Sequence, residues 1–162
     1  MPDVKSPRAI PLALIGVGKI AREGHIPAIR GGGEFRLAAT VSHGGGVAGT
    51  PDFATVGAMA AAHPEVSAAV LCTPPEGRLE LARAALAAGL DLMVEKPPAA
   101  TVAEARAIVS LARAVGRTLY FAWHSRQAAG VAPARAWLAD KTVVRAAVVW
   151  REDVDRWHPG QA

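Results

Sequence analysis

A single cysteine, Cys72, is all the sulfur chemistry this 162-residue chain can offer. It excludes an intramolecular disulfide framework and makes a reducing cytoplasm the expected setting. No N-terminal run joins a basic flank to an uninterrupted apolar segment of signal-peptide length, and no stretch is long and apolar enough to span a bilayer. Aromatic residues make up only 5% of the chain. This bears on its positive charge, +4 with a pI near 9.8, which would otherwise suit nucleic acid. The arginines (Arg22, Arg30, Arg36, Arg78, Arg83, Arg106, Arg113) are scattered, many between alanines on what read as exposed helix faces. Without a basic stripe or interleaved aromatics they read as a solubilising surface, with neither nucleic acid nor membrane as a partner. No metal-ligand cluster stands out either. What the chain does have is apolar content of 51% with 20% charged residues and a mean hydropathy of +0.22, enough for one well-buried domain and too little length for two full ones.

Apolar runs alternate with helix-length segments. Residues 9–17 (AIPLALIGV), 36–42 (RLAATVS), 67–73 (SAAVLCT), 90–95 and 118–123 (TLYFAW) are predicted strands. Near-continuous apolar strands separated by helices mark a parallel sheet covered on both faces, so the fold class is α/β, doubly wound and of Rossmann type. Thr101 and Glu104 have capping-box spacing, and Val102, Ala105, Ile108, Val109 and Ala112 recur at helical intervals until Gly116. Residues 76–88 form a second predicted helix between Pro75 and Gly89. Pro27 should break or restart the first helix near His25, and residues 44–51 (GGGVAGTP) read as an irregular loop. A short helix near 132–139 and a strand over 142–150 (TVVRAAVVW) follow. The organisation expected is a dinucleotide domain over 1–125 and the incomplete beginning of a second α/β domain over 126–162.

Residues 16–21 (GVGKIA) stand directly after a predicted strand and before a helix. This is the dinucleotide fingerprint with Ala21 in the third glycine position. Gly16 permits the tight turn, Gly18 lets backbone approach a pyrophosphate, and Lys19 and Ile20 open a helix whose N-terminus favours negative charge. An NAD-selective site usually carries an acid about 20 residues further on, against the ribose 2′-hydroxyl. Here that place reads Ser42-His43 with no carboxylate, so NADP is expected to be accepted, alongside NAD.

The glycine turn, the third strand running into Cys72-Thr73-Pro74-Pro75, the fourth into Glu95-Lys96-Pro97 and the fifth into Trp123-His124 together resemble the Gfo/Idh/MocA family of NAD(P)-dependent oxidoreductases. The resemblance covers essentially the whole chain, and residues 150–161 (WREDVDRWHPGQ) resemble the family's aldose 1-dehydrogenase branch, which acts on D-galactose and L-arabinose. It implies that Lys96 lies against the substrate hydroxyl, that Glu95, Thr73 and Pro74 border the cofactor, and that His124, Asp153 and His158 reach the sugar, the first two as proton-relay or sugar-binding groups. The reaction implied is oxidation of an aldose at C1 to the lactone, with a hydride going to the nicotinamide and a proton leaving the anomeric hydroxyl. Lys96 fits either a base of lowered pKa or a cationic hydrogen-bond donor, since a neighbouring Glu95 opposes the lowering. The Lys96-Pro97 bond is a candidate cis peptide.

The family carries a second α/β domain that forms the substrate floor and the usual oligomer contact, so the parent protein is expected to be a homo-oligomer. Only the start of that domain is expected in these 162 residues, which are therefore expected to act as an N-terminal fragment inactive alone. Two other readings stay open: a non-catalytic dinucleotide-binding regulator of the same superfamily, and a family dehydrogenase for another polyol or sugar acid.

Overall fold

A computed structural model describes residues 9–153. Six parallel strands form one sheet in the order β3-β2-β1-β4-β5-β6: β1 (Ile10–Ile15), β2 (Phe35–Val41), β3 (Asp52–Phe53), β4 (Ala68–Leu71), β5 (Asp91–Val94) and β6 (Leu119–Phe121). From β1 the chain winds outward first through β2 and β3, then back across to β4, β5 and β6, so the direction reverses between β1 and β4. This is the doubly wound topology, and its ligand crevice opens beyond the carboxyl ends of the strands at that reversal.

The burial explains why the strands read as continuous apolar runs. Along β1, Ala13 and Ile15 join one hydrophobic cluster with Ala39, Val41, Leu71, Leu92, Val94 and Ile108. Leu12 and Leu14 face the other way, into a second cluster with Ala21, Ile26, Val70 and Cys72. Successive side chains of a strand point to opposite faces, and with both faces covered both register positions favour apolar side chains.

The helices are α1 (Ile26–Gly32), α2 (Val56–Ala62), α3 (Arg78–Ala87), α4 (Val102–Ala114) and α5 (Val131–Leu138). A π-helical turn, Ala21–His25, runs into α1 with Pro27 at the first turn. A proline there has no N–H for the preceding turn, and its ring would collide with the Glu23 carbonyl; the wider turn accommodates both. The expected interruption near His25 is thus a change of helix type rather than a break. In α4 the capping box forms as its spacing predicts. Glu104 N donates to Thr101 Oγ1 at 3.1 Å, and Thr101 N donates to Glu104 Oε2 at 3.1 Å.

Two strand expectations are corrected. The sheet has a strand that five-strand reasoning missed: β3 is two residues long, Thr40 pairing with Asp52 and Val41 with Phe53, too short to leave a periodic signal. Residues 142–150, expected as a strand, carry no strand assignment, and Val144, Val148, Val149 and Trp150 are exposed. A strand needs a neighbour to pair its backbone N–H and C=O groups, and among the described residues no further strand follows β6 to supply one.

By its contacts the chain divides into two compact units, one ending at Trp123 and the other beginning at His124. The second contains a 3-10 turn, His124–Gln127, and α5. Among the described residues no helix is long and apolar enough to cross a membrane.

Thr101→Ala removes the accepting hydroxyl of the α4 cap and is expected to lower unfolding stability by about 1 kcal/mol, with Thr101→Ser close to wild type. Urea denaturation with an unchanged slope measures this, and a loss equal in both variants would show that the hydroxyl is not what caps α4.

Candidate active site

The carboxyl ends of β1, β2 and β4 enclose a cleft of about 720 Å³, lined by Gly16, Val17, Gly18, Ser42, His43, Gly44, Gly45, Thr55, Cys72, Thr73 and Pro74 among others. Six of the sequence-predicted cofactor residues line this cleft: Gly16, Gly18, Ser42, His43, Thr73 and Pro74. Lys19 and Ile20 sit exposed at the opening of the helix that follows. A second groove, about 530 Å³, is lined by Leu12, Ile29, Phe35, Val70, Met93 and Tyr120 and by few polar groups. It has no glycine turn to meet a pyrophosphate.

The two glycines of the turn differ in conformation and surroundings. Gly16 has φ +89°, and a Cβ there would fall 2.8 Å from Thr73 Cγ2 and 2.9 Å from Thr73 N. That position is closed to side chains by both conformation and space. At Gly18 an added Cβ meets nothing within 4 Å, so this backbone stands open toward a ligand. Thr73 Oγ1 is buried with no hydrogen-bond partner, an unsatisfied polar atom in the wall of the cleft. An open backbone turn at a helix start, beside an orphaned hydroxyl, fits a dinucleotide.

Several contributors were not singled out as site residues. Arg22, one turn into the helix, donates Nε to Val17 O at 3.2 Å and Nη2 to Gly45 O and Gly46 O at 3.2 Å, which ties the glycine turn to the loop after β2. Asp52 comes from β3: Thr40 Oγ1 donates to its Oδ1 at 2.6 Å and Ser42 Oγ to its Oδ2 at 2.8 Å. The end of β2, carboxylate-free in sequence, is therefore not carboxylate-free in space. Only the pairing of β3 with β2 reveals this, and no spacing rule signals it.

The Glu95-Lys96-Pro97 segment leaves β5 with a cis Lys96-Pro97 bond. Glu95 is buried and both of its carboxylate oxygens are engaged: Oε1 lies 2.8 Å from His25 Nε2, and Oε2 accepts from Lys96 N at 3.1 Å. His25, 70 positions away, is the partner that the sequence could not show. Arg78, only 2% exposed, donates Nη1 to Glu95 O and Pro97 O and Nη2 to Thr73 O. Burial pushes its guanidinium down from its ordinary value, and the nearby Glu95, Cys72 and Glu76 push it back up. The Cys72 thiol is pushed up to about 12 by burial and then by Glu95, with Arg78 opposing. It stays neutral at physiological pH, and its burial makes it a wall rather than a nucleophile.

Lys96 is exposed at the end of β5. His124 begins the 3-10 turn of the second unit, exposed, with Ser125 Oγ 3.4 Å from its Nδ1. Asp153 is exposed in a segment without regular structure, also in the second unit, and His158 lies outside the described residues. Among the described residues, no group of three or more His, Cys, Asp and Glu side chains is placed to hold a metal ion.

Residues 10–122, well over half of the chain, match the Gfo/Idh/MocA family, described as an oxidoreductase family with an NAD-binding Rossmann fold. The chain belongs to this family. A nicotinamide dinucleotide is therefore the cofactor class that the family indicates for this chain. Over 153 residues the chain is 39% identical to galactose 1-dehydrogenase of Pseudomonas fluorescens, covering 94% of this chain and 49% of that protein. It is 32% identical to the uncharacterized oxidoreductase YdgJ of Escherichia coli, covering 73% of this chain and 35% of that one. The crystal structure of D-galactose-1-dehydrogenase from Rhizobium etli superposes with a TM-score of 0.90 at 44% identity, covering 98% of this chain and 51% of that one. The chain spans about half the length of these two galactose dehydrogenases.

The two glycines separate folding from binding. Gly16→Ala is expected to destabilise the chain by about 1–3 kcal/mol through strain and collision with Thr73. Gly18→Ala should leave stability within about 0.5 kcal/mol of wild type yet abolish most nucleotide binding. Thermal melting beside nucleotide titration checks the pair; equal losses of stability would refute the assignment of Gly18 to the ligand.

Proposed function

We propose that this chain is the cofactor-binding half of an NAD(P)-dependent aldose 1-dehydrogenase, oxidising a sugar of D-galactose or L-arabinose type at C1 to the lactone. The observation that carries the reading is the placement of Lys96, exposed at the carboxyl end of β5, beside a Glu95 carboxylate engaged by His25 and by the Lys96 N–H. Identities of 39% and 44% to galactose dehydrogenases support the sugar as substrate class.

When bound, the nicotinamide supplies the hydride acceptor. In this reading the chain's own residues position and deprotonate. The Gly16–Gly18 turn holds the pyrophosphate, Thr73 Oγ1 finds its partner on the ligand, and Ser42 and His43 border the ribose. Lys96 holds the anomeric oxygen and takes up or relays its proton, while the family resemblance is what assigns sugar-binding or relay roles to His124, Asp153 and His158. A proton transfer of this kind contributes roughly a hundredfold or more to rate. The cofactor is NADP or NAD, the full-length protein is a homo-oligomer, and a cytoplasmic setting keeps Cys72 reduced.

The 162-residue chain is expected to bind nucleotide and to show negligible aldose oxidation by itself, because the reading places the sugar pocket's other wall in a second domain. In a chain extended to its relatives' length, Lys96→Met should lower turnover with galactose or arabinose about a hundredfold or more while leaving nucleotide affinity nearly unchanged. Absorbance of reduced nicotinamide and nucleotide titration measure the two. Turnover near wild type would remove Lys96 from the reaction, and nucleotide binding with no turnover of any sugar by the extended protein would favour a regulatory role.

A further inference from the structure

Two observations meet at the ribose end of the cleft. The first is the direction of the hydrogen bonds on Asp52. As a carboxylate it accepts only, so Thr40 and Ser42 must both donate to it, at 2.6 Å and 2.8 Å. A serine hydroxyl has one proton. With that proton committed to Asp52, the face of Ser42 Oγ left for the cleft carries lone pairs alone.

The second is how firmly the carboxylate is held. The Thr40 hydroxyl is fully buried, and β3 fixes Asp52 opposite Thr40 in the sheet. Gly46 presses on the same place: a Cβ there would lie 2.6 Å from Thr40 Oγ1 and 2.7 Å from Asp52 Cβ and Cγ. Arg22 holds the carbonyls of Gly45 and Gly46, so the loop is closed down beside the carboxylate rather than free to swing away. The guanidinium is correspondingly turned to backbone oxygens, and the other nearby cation candidate, His43, is exposed on the loop.

Ser42 lines the cleft at the end of β2, the position that in this fold meets the 2′ substituent of the adenosine ribose. We infer that Asp52, acting through Ser42, favours a free 2′-hydroxyl over a 2′-phosphate there, so that the chain selects NAD over NADP. The hydroxyl brings the proton that Ser42 Oγ lacks. A 2′-phosphate brings only acceptor oxygens and a charge of the same sign as Asp52. The inference rests on the dinucleotide reading of the cleft and narrows its cofactor. Asp52 is a positioning residue, since it acts through the serine. It does the work of the acid usually found at the end of the second strand, from a different strand.

The test is a titration of NAD and NADP into the 162-residue chain and two variants, with thermal melting as a check on folding. Wild type should bind NAD more tightly. Asp52→Asn removes the charge and allows an amide N–H to donate to Ser42, freeing the serine proton for the ligand. It should shift the affinity ratio toward NADP by on the order of tenfold, the scale of like-charge repulsion across a solvated cleft. Ser42→Ala keeps the charge and loses the acceptor, so NAD should weaken by roughly threefold to tenfold while NADP stays weak. A merely structural Asp52 would weaken both nucleotides equally. A wild type that prefers NADP, or a ratio unchanged in Asp52→Asn, overturns this inference alone. Failure of wild type to bind either nucleotide overturns the dinucleotide reading and this inference with it.

Discussion

The buried guanidinium of Arg78 holds the site in register. It lies at the start of α3 and reaches the carbonyls of Thr73 after β4 and of Glu95 and Pro97 after β5. These carbonyls end strands, where the ladder no longer supplies partners, and left buried and unpaired each would cost about 1–3 kcal/mol. One planar cation satisfies all three and fixes the spacing between the cofactor wall and the Lys96 turn. Removing it would leave three orphaned acceptors, and replacing it with lysine would lose the forked geometry that spans two strand ends.

A second brace runs along the opposite rim. Arg22 joins the glycine turn to the Gly45-Gly46 loop, and the loop packs on Asp52, which in turn orients Thr40 and Ser42. Each link is a charge-assisted hydrogen bond or a close backbone contact. Together they connect the glycine turn to the end of β2 through polar groups whose directions are set. Nearby, the buried Glu95 carboxylate is engaged by His25 Nε2 and by the Lys96 backbone N–H.

The elements that were legible from the sequence are those that follow from local rules. Apolar runs without alternation gave the sandwiched strands, Thr101 and Glu104 gave the α4 cap, and the glycine spacing after β1 gave the tight turn. What could not be read depends on pairing across the sheet. β3 is too short for periodicity, so the carboxylate it brings to Ser42 was invisible, and the contacts of Arg78 and His25 span 5 to 19 and 70 positions. The strand expected over 142–150 failed for the complementary reason: its pattern is that of a strand, but pattern cannot supply the neighbour that a strand must pair with. His158 was proposed on a segment outside the described residues.

A crystal structure of the chain grown with NAD tests the central claim most directly. The account predicts a pyrophosphate on the Gly16–Gly18 turn, a ribose 2′-hydroxyl donating to Ser42 Oγ, and a nicotinamide ring beside Thr73 and directed toward Lys96. A nucleotide bound elsewhere, such as in the apolar groove lined by Phe35 and Met93, or one lying in this cleft with its ends reversed, would contradict it.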